Sequence, residues 1–234
     1  MKFKIDNRIF EKFPELNVGV LVCKGINNEG NSEEVMNLIR EREKEIKSQF
    51  DSETLSQNPK INIWREAYKA FGAKPKEHKS SVESLYRSVL GGREIRHINK
   101  IVDIYNFISL KHIVPVGGED LDKIRGDIHL TFAEKDEPPV LLLGDKESRA
   151  PHEGEVIYKD DISAICRRLN WREADRTKFT GETENAILVA EGLPPVTKEG
   201  IEKILEEIKE LVQRFCGGEI YQFILNSENL KIEF

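Results

Sequence analysis

Cysteine is scarce in this chain, and the little there is forms no pattern. Cys23, Cys166 and Cys216 are isolated and odd in number among 234 residues. That excludes a disulfide framework, offers no metal-ligand spacing and leads us to expect a reducing, cytoplasmic setting. No apolar run approaches the roughly 20 residues of a membrane-spanning helix. The opening MKFKIDNRIF lacks a secretory-signal pattern, so no membrane partner is expected. Positive charge is not in excess either: 36 Lys and Arg face 42 Asp and Glu, for a net charge of −6. This balance argues against a general nucleic-acid coat protein and against a DNA partner, while leaving room for a local basic patch. Nucleophile-elbow, P-loop and dinucleotide-fingerprint patterns are all missing. The histidines (His78, His97, His112, His129 and His152) are scattered, none beside a Glu at zincin spacing. No metal and no cofactor are therefore expected. Nothing in the sequence fixes the oligomeric state.

What remains is a charge-rich chain, 33% charged and 38% hydrophobic, long enough for a sizeable core. Asn17 to Ile26 reads as a buried strand. Asn31–Glu34 resembles a capping box, and the pattern predicts a charged helix from there to about Phe50. Helices are predicted from Ile61 to Phe71 and from Glu77 to Leu90, punctuated by Gly72, Pro75 and Gly91-Gly92. After Gly126 the texture changes to short β-rich runs: Asp127–Ala133, Val140–Leu143, Glu155–Lys159, Ser163–Arg168 and Ala186–Ala190. Thr197 to Phe215 carries the clearest helical periodicity, and a last strand spans Ile220 to Leu225. Elements of one type are grouped rather than alternating, which predicts an α+β class with mostly antiparallel sheets. We expect one domain over residues 1–234, helix-rich from about 30 to 112 and sheet-rich from about 113 onward.

Ile98 to Gly126 is the most informative stretch. Ile98, Ile101, Val102, Tyr105, Ile108 and Leu110 mark one apolar face of a helix. Asn99, Asp103, Asn106 and Ser109 form a polar stripe along another, which leads into a Pro-Val-Gly-Gly turn. Spacing alone describes a solvated helix face before an ordinary turn. Paired glycines also permit close backbone approach to a ligand, so a pocket is the other reading.

Two basic groups stand out. Arg167 to Lys178 places five cations and Trp171 within twelve residues. Cations beside an aromatic ring suit a phosphate backbone with a stacked base. The same residues also suit an ion-pair network with Trp171 in the core. Lys74 to Lys79 follows Trp64-Arg65 and reads either as a second patch or as a solvated connecting loop.

Taken together, these pieces resemble the B3/B4 domain of the phenylalanyl-tRNA synthetase beta subunit. Ile98, Val102, Asp103, Asn106, Phe107, Leu110, Pro115, Asp120, Asp122, Lys123, Ile124 and Gly126 match its central motif in order. Asn170–Glu173 and Thr183-Glu-Asn185-Ala-Ile-Leu fit its downstream segments. The resemblance covers roughly Trp64 to Pro195 and leaves no room for the synthetase's other modules, so a free-standing B3/B4 protein is the expectation. It implies a sandwich-like core of sheets with flanking helices. It further implies an editing-type activity, the hydrolysis of a mischarged aminoacyl ester on tRNA without a metal or cofactor. The alternative is a module that binds tRNA or an amino acid without hydrolysis.

Under this resemblance the site is formed by Asn106, Gly117, Gly118, Asn170 and Glu173. The glycines would offer backbone N–H groups, the asparagines would orient water or ribose, and Glu173 would recognise a polar side chain. The tRNA acceptor end would lie against Trp64, Arg65, Lys76, Lys79, Arg167, Arg168, Trp171, Arg176 and Lys178. One departure stands out: the family's histidine aligns with Gly117.

Overall fold

In the computed structural model, which describes all residues from Met1 to Phe234, the helices start where short polar side chains precede them. Asp6 caps α1 (Asn7–Lys12). Ser32, Asn58, Ser80, Asn99 and Thr197 do the same for α2 (Glu33–Gln49), α3 (Pro59–Ala70), α4 (Ser81–Leu90), α5 (Lys100–His112) and α6 (Lys198–Phe215). Each side-chain oxygen accepts a hydrogen bond from a first-turn N–H that helix geometry leaves free. The Ser80 cap explains why α4 begins four residues later than the predicted Glu77. No helix is long and apolar enough to cross a membrane.

The strands are β1 (Lys2–Ile5), β2 (Asn17–Lys24), β3 (Val116–Asp120), β4 (Ile128–Phe132), β5 (Val156–Lys159), β6 (Ala164–Arg167), β7 (Arg172–Glu173), β8 (Ala186–Gly192), β9 (Glu219–Leu225) and β10 (Lys231–Glu233). They form a six-stranded sheet, ordered β10-β1-β4-β5-β6-β7, and a four-stranded one, ordered β3-β8-β2-β9. Every pairing is antiparallel except β1 with β4. The expected α+β class with antiparallel-dominated sheets is what the chain adopts. Val140–Leu143 is reduced to isolated bridges at Val140 and Leu142.

The central strand β2 is buried on both faces, which its near-continuous Val-Leu-Val-Cys run makes favourable. Helix α6 lies against the smaller sheet. It comes so close that a Cβ on Gly19 or Gly192 would fall 2.6 Å or 2.8 Å from Ile201. Fifty-three buried residues form one continuous core that includes Phe3 and Ile232 of the larger sheet and Val20 and Leu188 of the smaller.

Helix α5 departs from the solvated-face reading. All its residues from Ile101 to Leu110 are buried except the half-buried Tyr105. Its polar stripe is spent on local chemistry. Asn99 caps the helix through the Val102 N–H, and Asp103 accepts from the Ile98 N–H and contacts His97. Ser109 Oγ accepts from the Val116 N–H. Asn106 alone among the four makes no side-chain hydrogen bond to the protein, and it faces a cavity. The glycine pair likewise is not a turn. The chain turns at Ile113, in the left-handed region at φ 57°, and Gly117 and Gly118 lie within β3.

Candidate functional site

Between the two sheets lies a cavity of about 450 Å³, closed on one side by α4 and α5. Gly117, Gly118 and Glu119 of β3 line one wall together with Ile187, Val189 and Glu191 of β8. Ile165 and Cys166 of β6 face them, and the hairpin that follows contributes Leu169 to Glu173. Arg168 and Leu169 both take positive φ, 51° and 63°, in that hairpin. For residues with a Cβ this conformation costs roughly 1–2 kcal/mol each. It turns the chain sharply enough to bring Asn170, Trp171 and Glu173 to the cavity.

All five residues expected at the site, Asn106, Gly117, Gly118, Asn170 and Glu173, therefore line one cavity. Their roles differ. Strand β3 is an edge strand, hydrogen-bonded only to β8. Glu191 N–H donates to Pro115 O and Leu121 N–H to Asn185 O. Since ladder bonds alternate in an antiparallel pair, Gly117 N–H, at an odd position between those bonds, turns to β8. Gly118 N–H turns the other way and donates to Glu173 Oε1 at 3.4 Å. One of the two expected backbone donors thus faces the cavity.

The glycines are needed for space. A Cβ on Gly117 would sit 2.8 Å from Glu173 Oε1, and one on Gly118 would sit 2.1 Å from the Ile187 carbonyl oxygen. Asn170 is held at both ends of its amide. Tyr68 OH donates to its Oδ1 at 2.9 Å, and its Nδ2 donates to Glu191 Oε2 at 2.6 Å. Tyr158 OH donates to the other oxygen of Glu191, which ties the two sheets together.

The electrostatics are dominated by buried acids. Burial pushes the Glu173 carboxyl up to about 7, against a small opposing effect of the Gly118 N–H. Burial also raises Glu191 to about 7, with the Tyr158 and Asn170 hydrogen bonds pulling down. Glu119 lies well above the usual carboxylate range, first through burial and then through the nearby Glu173. Glu173 and Glu191 change protonation near neutral pH and suit proton transfer there. Glu119 and Glu191 escaped the sequence reading. Glu119 sits two residues from Gly117 on the same face of β3, whereas Glu191 neighbours no position that the sequence singled out. The alternation of a strand is the signal that could have found Glu119.

The basic residues divide. Arg167 is 4% exposed, with Nε and Nη2 on the two oxygens of Glu155 at 2.8 Å. Arg168 is 7% exposed, reaches Glu155 at 3.3 Å and stacks over the Trp171 ring at 4.5 Å. Arg176 pairs with Asp160, Lys178 with Asp175 and Arg65 with Glu83, each at 2.7–2.8 Å. The ion-pair reading thus describes Arg167 and Arg168, because the buried Glu155 requires a counter-charge. Trp64 is 2% exposed in the core, so its ring is not offered to a base. Trp171 is half-buried at the cavity edge, with the edge of His78 at 4.6 Å and Arg172 at 5.4 Å. Lys76 is exposed and makes no ion pair. Lys79, half-buried, donates only to the Lys76 carbonyl.

Residues 63–217 match the model of the B3/4 domain. Similar proteins include the phenylalanine–tRNA ligase beta subunits of Fusobacterium nucleatum, 32% identical over 111 residues, and Leifsonia xyli, 33% identical over 103. Those matches cover 47% and 44% of this chain and 13% and 12% of the ligase subunits, so it corresponds to a small part of these relatives. Among solved structures, an N-terminal fragment of the phenylalanyl-tRNA synthetase beta subunit from Pyrococcus horikoshii aligns at a TM-score of 0.46 and 15% identity. That alignment covers 95% of this chain and 53% of the fragment. With two-thirds of its length inside that family model, the chain belongs to the B3/4 domain family.

Proposed function

We propose that this chain binds the acceptor end of tRNA and hydrolyses the ester of a mischarged amino acid, in trans, in the cavity between its two sheets. The single observation that carries the reading is Glu173. Its carboxyl, balanced near neutral pH, faces a free strand edge across a cavity of about 450 Å³. The relationship to ligase beta subunits supports tRNA as the partner class.

In the proposed step Glu173 takes a proton from water as the water oxygen attacks the ester carbonyl. The bond from carbonyl carbon to ribose oxygen then breaks. The ribose oxygen leaves with a proton, giving free amino acid and uncharged tRNA. Gly118 N–H, which rests on Glu173 Oε1, is the backbone donor this reading assigns to the developing oxyanion, and Asn106 is available to hold the water or the ribose. An ester is an activated substrate, so positioning together with one base accounts for much of the acceleration without calling on a metal. Lys76 and Lys79, with Arg172 at the rim, are the side chains assigned to the phosphates.

The test is a panel of mischarged tRNAs incubated with the protein, scored by release of amino acid. At least one should be deacylated faster than it decays alone. Glu173→Gln should slow that reaction by about 100-fold or more, as expected for loss of a general base. Full retention of every amino acid refutes the reading. Binding without hydrolysis is the second reading, favoured by the Asn170 amide being held at both its oxygen and its nitrogen, which leaves it less free for chemistry. It predicts tRNA that is bound and still charged.

A further inference from the structure

A carboxylate leaves water at a cost of several kcal/mol unless a cation accompanies it, and this chain respects that rule outside the cavity. Glu43, Glu83, Asp120, Glu137, Glu155 and Asp160 are all buried, and each has a Lys or Arg nitrogen 3.0 Å or less from an oxygen. Buried Asp103 has His97. Inside the cavity the rule lapses. Glu119 and Glu191 are 5% and 3% exposed with no cationic partner. Glu191 is at least satisfied by Tyr158 and Asn170. Glu119 is not, and its Oε2 is buried with no hydrogen-bond partner at all. Glu173, across from it, has only the Gly118 N–H. No three His, Cys, Asp or Glu side chains gather closely enough to hold a metal ion.

We infer that Glu119 and Glu173 receive the ammonium group of the amino-acid moiety, so that the counter-charge these acids lack arrives with the ligand. This rests on the cavity being the aminoacyl site proposed above. An ammonium has three N–H donors and no acceptor. The cavity is lined by Glu119, by Glu173 and by Asn106, whose amide makes no hydrogen bond to the protein. The remaining lining is mainly apolar, with Ile165, Ile187 and Val189 available to an uncharged side chain. Gly117 has no side chain, and Glu173 Oε1 takes the place beside it that a Cβ would fill. Glu119 is therefore a specificity residue: it selects a free α-amine over an acylated one.

The test uses small probes, so it does not depend on hydrolysis. L-Leucinamide, L-phenylalaninamide and L-tyrosinamide, each with its N-acetyl counterpart, are titrated into the full chain and followed by chemical-shift perturbation. At least one free amine should bind at the cavity, and its N-acetyl form should bind at least tenfold more weakly. Glu119→Gln, shown folded by circular dichroism, should lose at least tenfold for the same amine. Equal binding of the acetylated and free forms overturns the inference, as does failure of every free amine to bind. Unchanged affinity in Glu119→Gln overturns it too. A parallel assay on charged tRNA separates the two claims. Equal deacylation of N-acetylated and free aminoacyl-tRNA leaves hydrolysis standing and removes the ammonium site. Amine binding without deacylation does the reverse.

Discussion

Replacing Glu191 by Gln should make the stability of this protein less sensitive to pH, in a direction and by an amount that the cavity sets. Burial holds the Glu191 carboxyl at about 7 against an ordinary value of 4.5. A folded-state value above the unfolded one means that the proton stabilises the fold. The contribution is fully present below about pH 4.5 and lost as pH rises through about 7. A shift of that size corresponds to roughly 3 kcal/mol when each unit is worth about 1.4 kcal/mol. Between pH 5 and 8 about 2–3 kcal/mol of it is expressed, because part is already lost at pH 5.

Gln carries no titrating proton, so the stability of Glu191→Gln relative to the parent should rise by that amount over this interval. Salt-bridged acids work the other way. Asp160 and Glu155 are pushed up by burial, but their hydrogen bonds, to Arg176 and Arg167 among others, hold them below the usual range. Their stabilisation is lost as pH falls. Taking the difference between variant and parent removes them. The same subtraction removes any fixed cost of presenting an amide to Asn170. Urea denaturation of both proteins at pH 5, 6, 7 and 8 measures the difference directly. A variant-minus-parent difference that stays constant across those four values refutes the assignment of Glu191 as a buried, cation-free acid.

Other perturbations discriminate among the remaining parts. Gly118→Ala would force a Cβ against the Ile187 carbonyl at 2.1 Å, where backbone must yield, so it should cost several kcal/mol or prevent folding. Gly117→Ala meets only the flexible end of Glu173 at 2.8 Å. It should leave urea stability within about 1 kcal/mol while reducing deacylation. Arg167→Ala strands Glu155 with the longer Arg168 contact and should destabilise by about 3–5 kcal/mol. An Arg167→Ala protein of parental stability that had lost tRNA binding would assign that arginine to RNA instead. Lys76→Ala should keep stability and weaken tRNA binding, with the slope of log affinity against log salt shallower by about 1 for the lost phosphate contact.

Much of this architecture was written in local pattern. The capping box read at Asn31–Glu34 is a local signal whose cap shifts by one residue to Ser32, and the apolar faces of α6 and β2 mark a helix and a strand that formed as expected. What local pattern missed depends on distant partners. β1 has four residues, too few to show a period, and exists because β4 and β10 flank it. The polar stripe of α5 looked solvated because periodicity records spacing and not what lies opposite. In the fold, Ser109 meets the start of β3, and Asp103 meets His97. Arg167 and Arg168 looked like a phosphate-binding pair because a linear reading cannot see Glu155, twelve residues before Arg167 and just ahead of the neighbouring strand β5.

The site shows the same division between local and distant information. Asn106, the glycines, Asn170 and Glu173 were legible through a motif, and the fold brings them to one cavity. Glu119 and Glu191 gained their significance when charge was set against burial, since an acid without a counter-ion is unremarkable until its surroundings are known. Position 117 joins the two kinds of information. A side chain there would occupy the volume that Glu173 now fills, so the residue absent from β3 and the acid present on the β6–β7 hairpin are one arrangement. The chemistry of the cavity is set by a carboxyl from the neighbouring sheet that reaches across a gap only glycine leaves open.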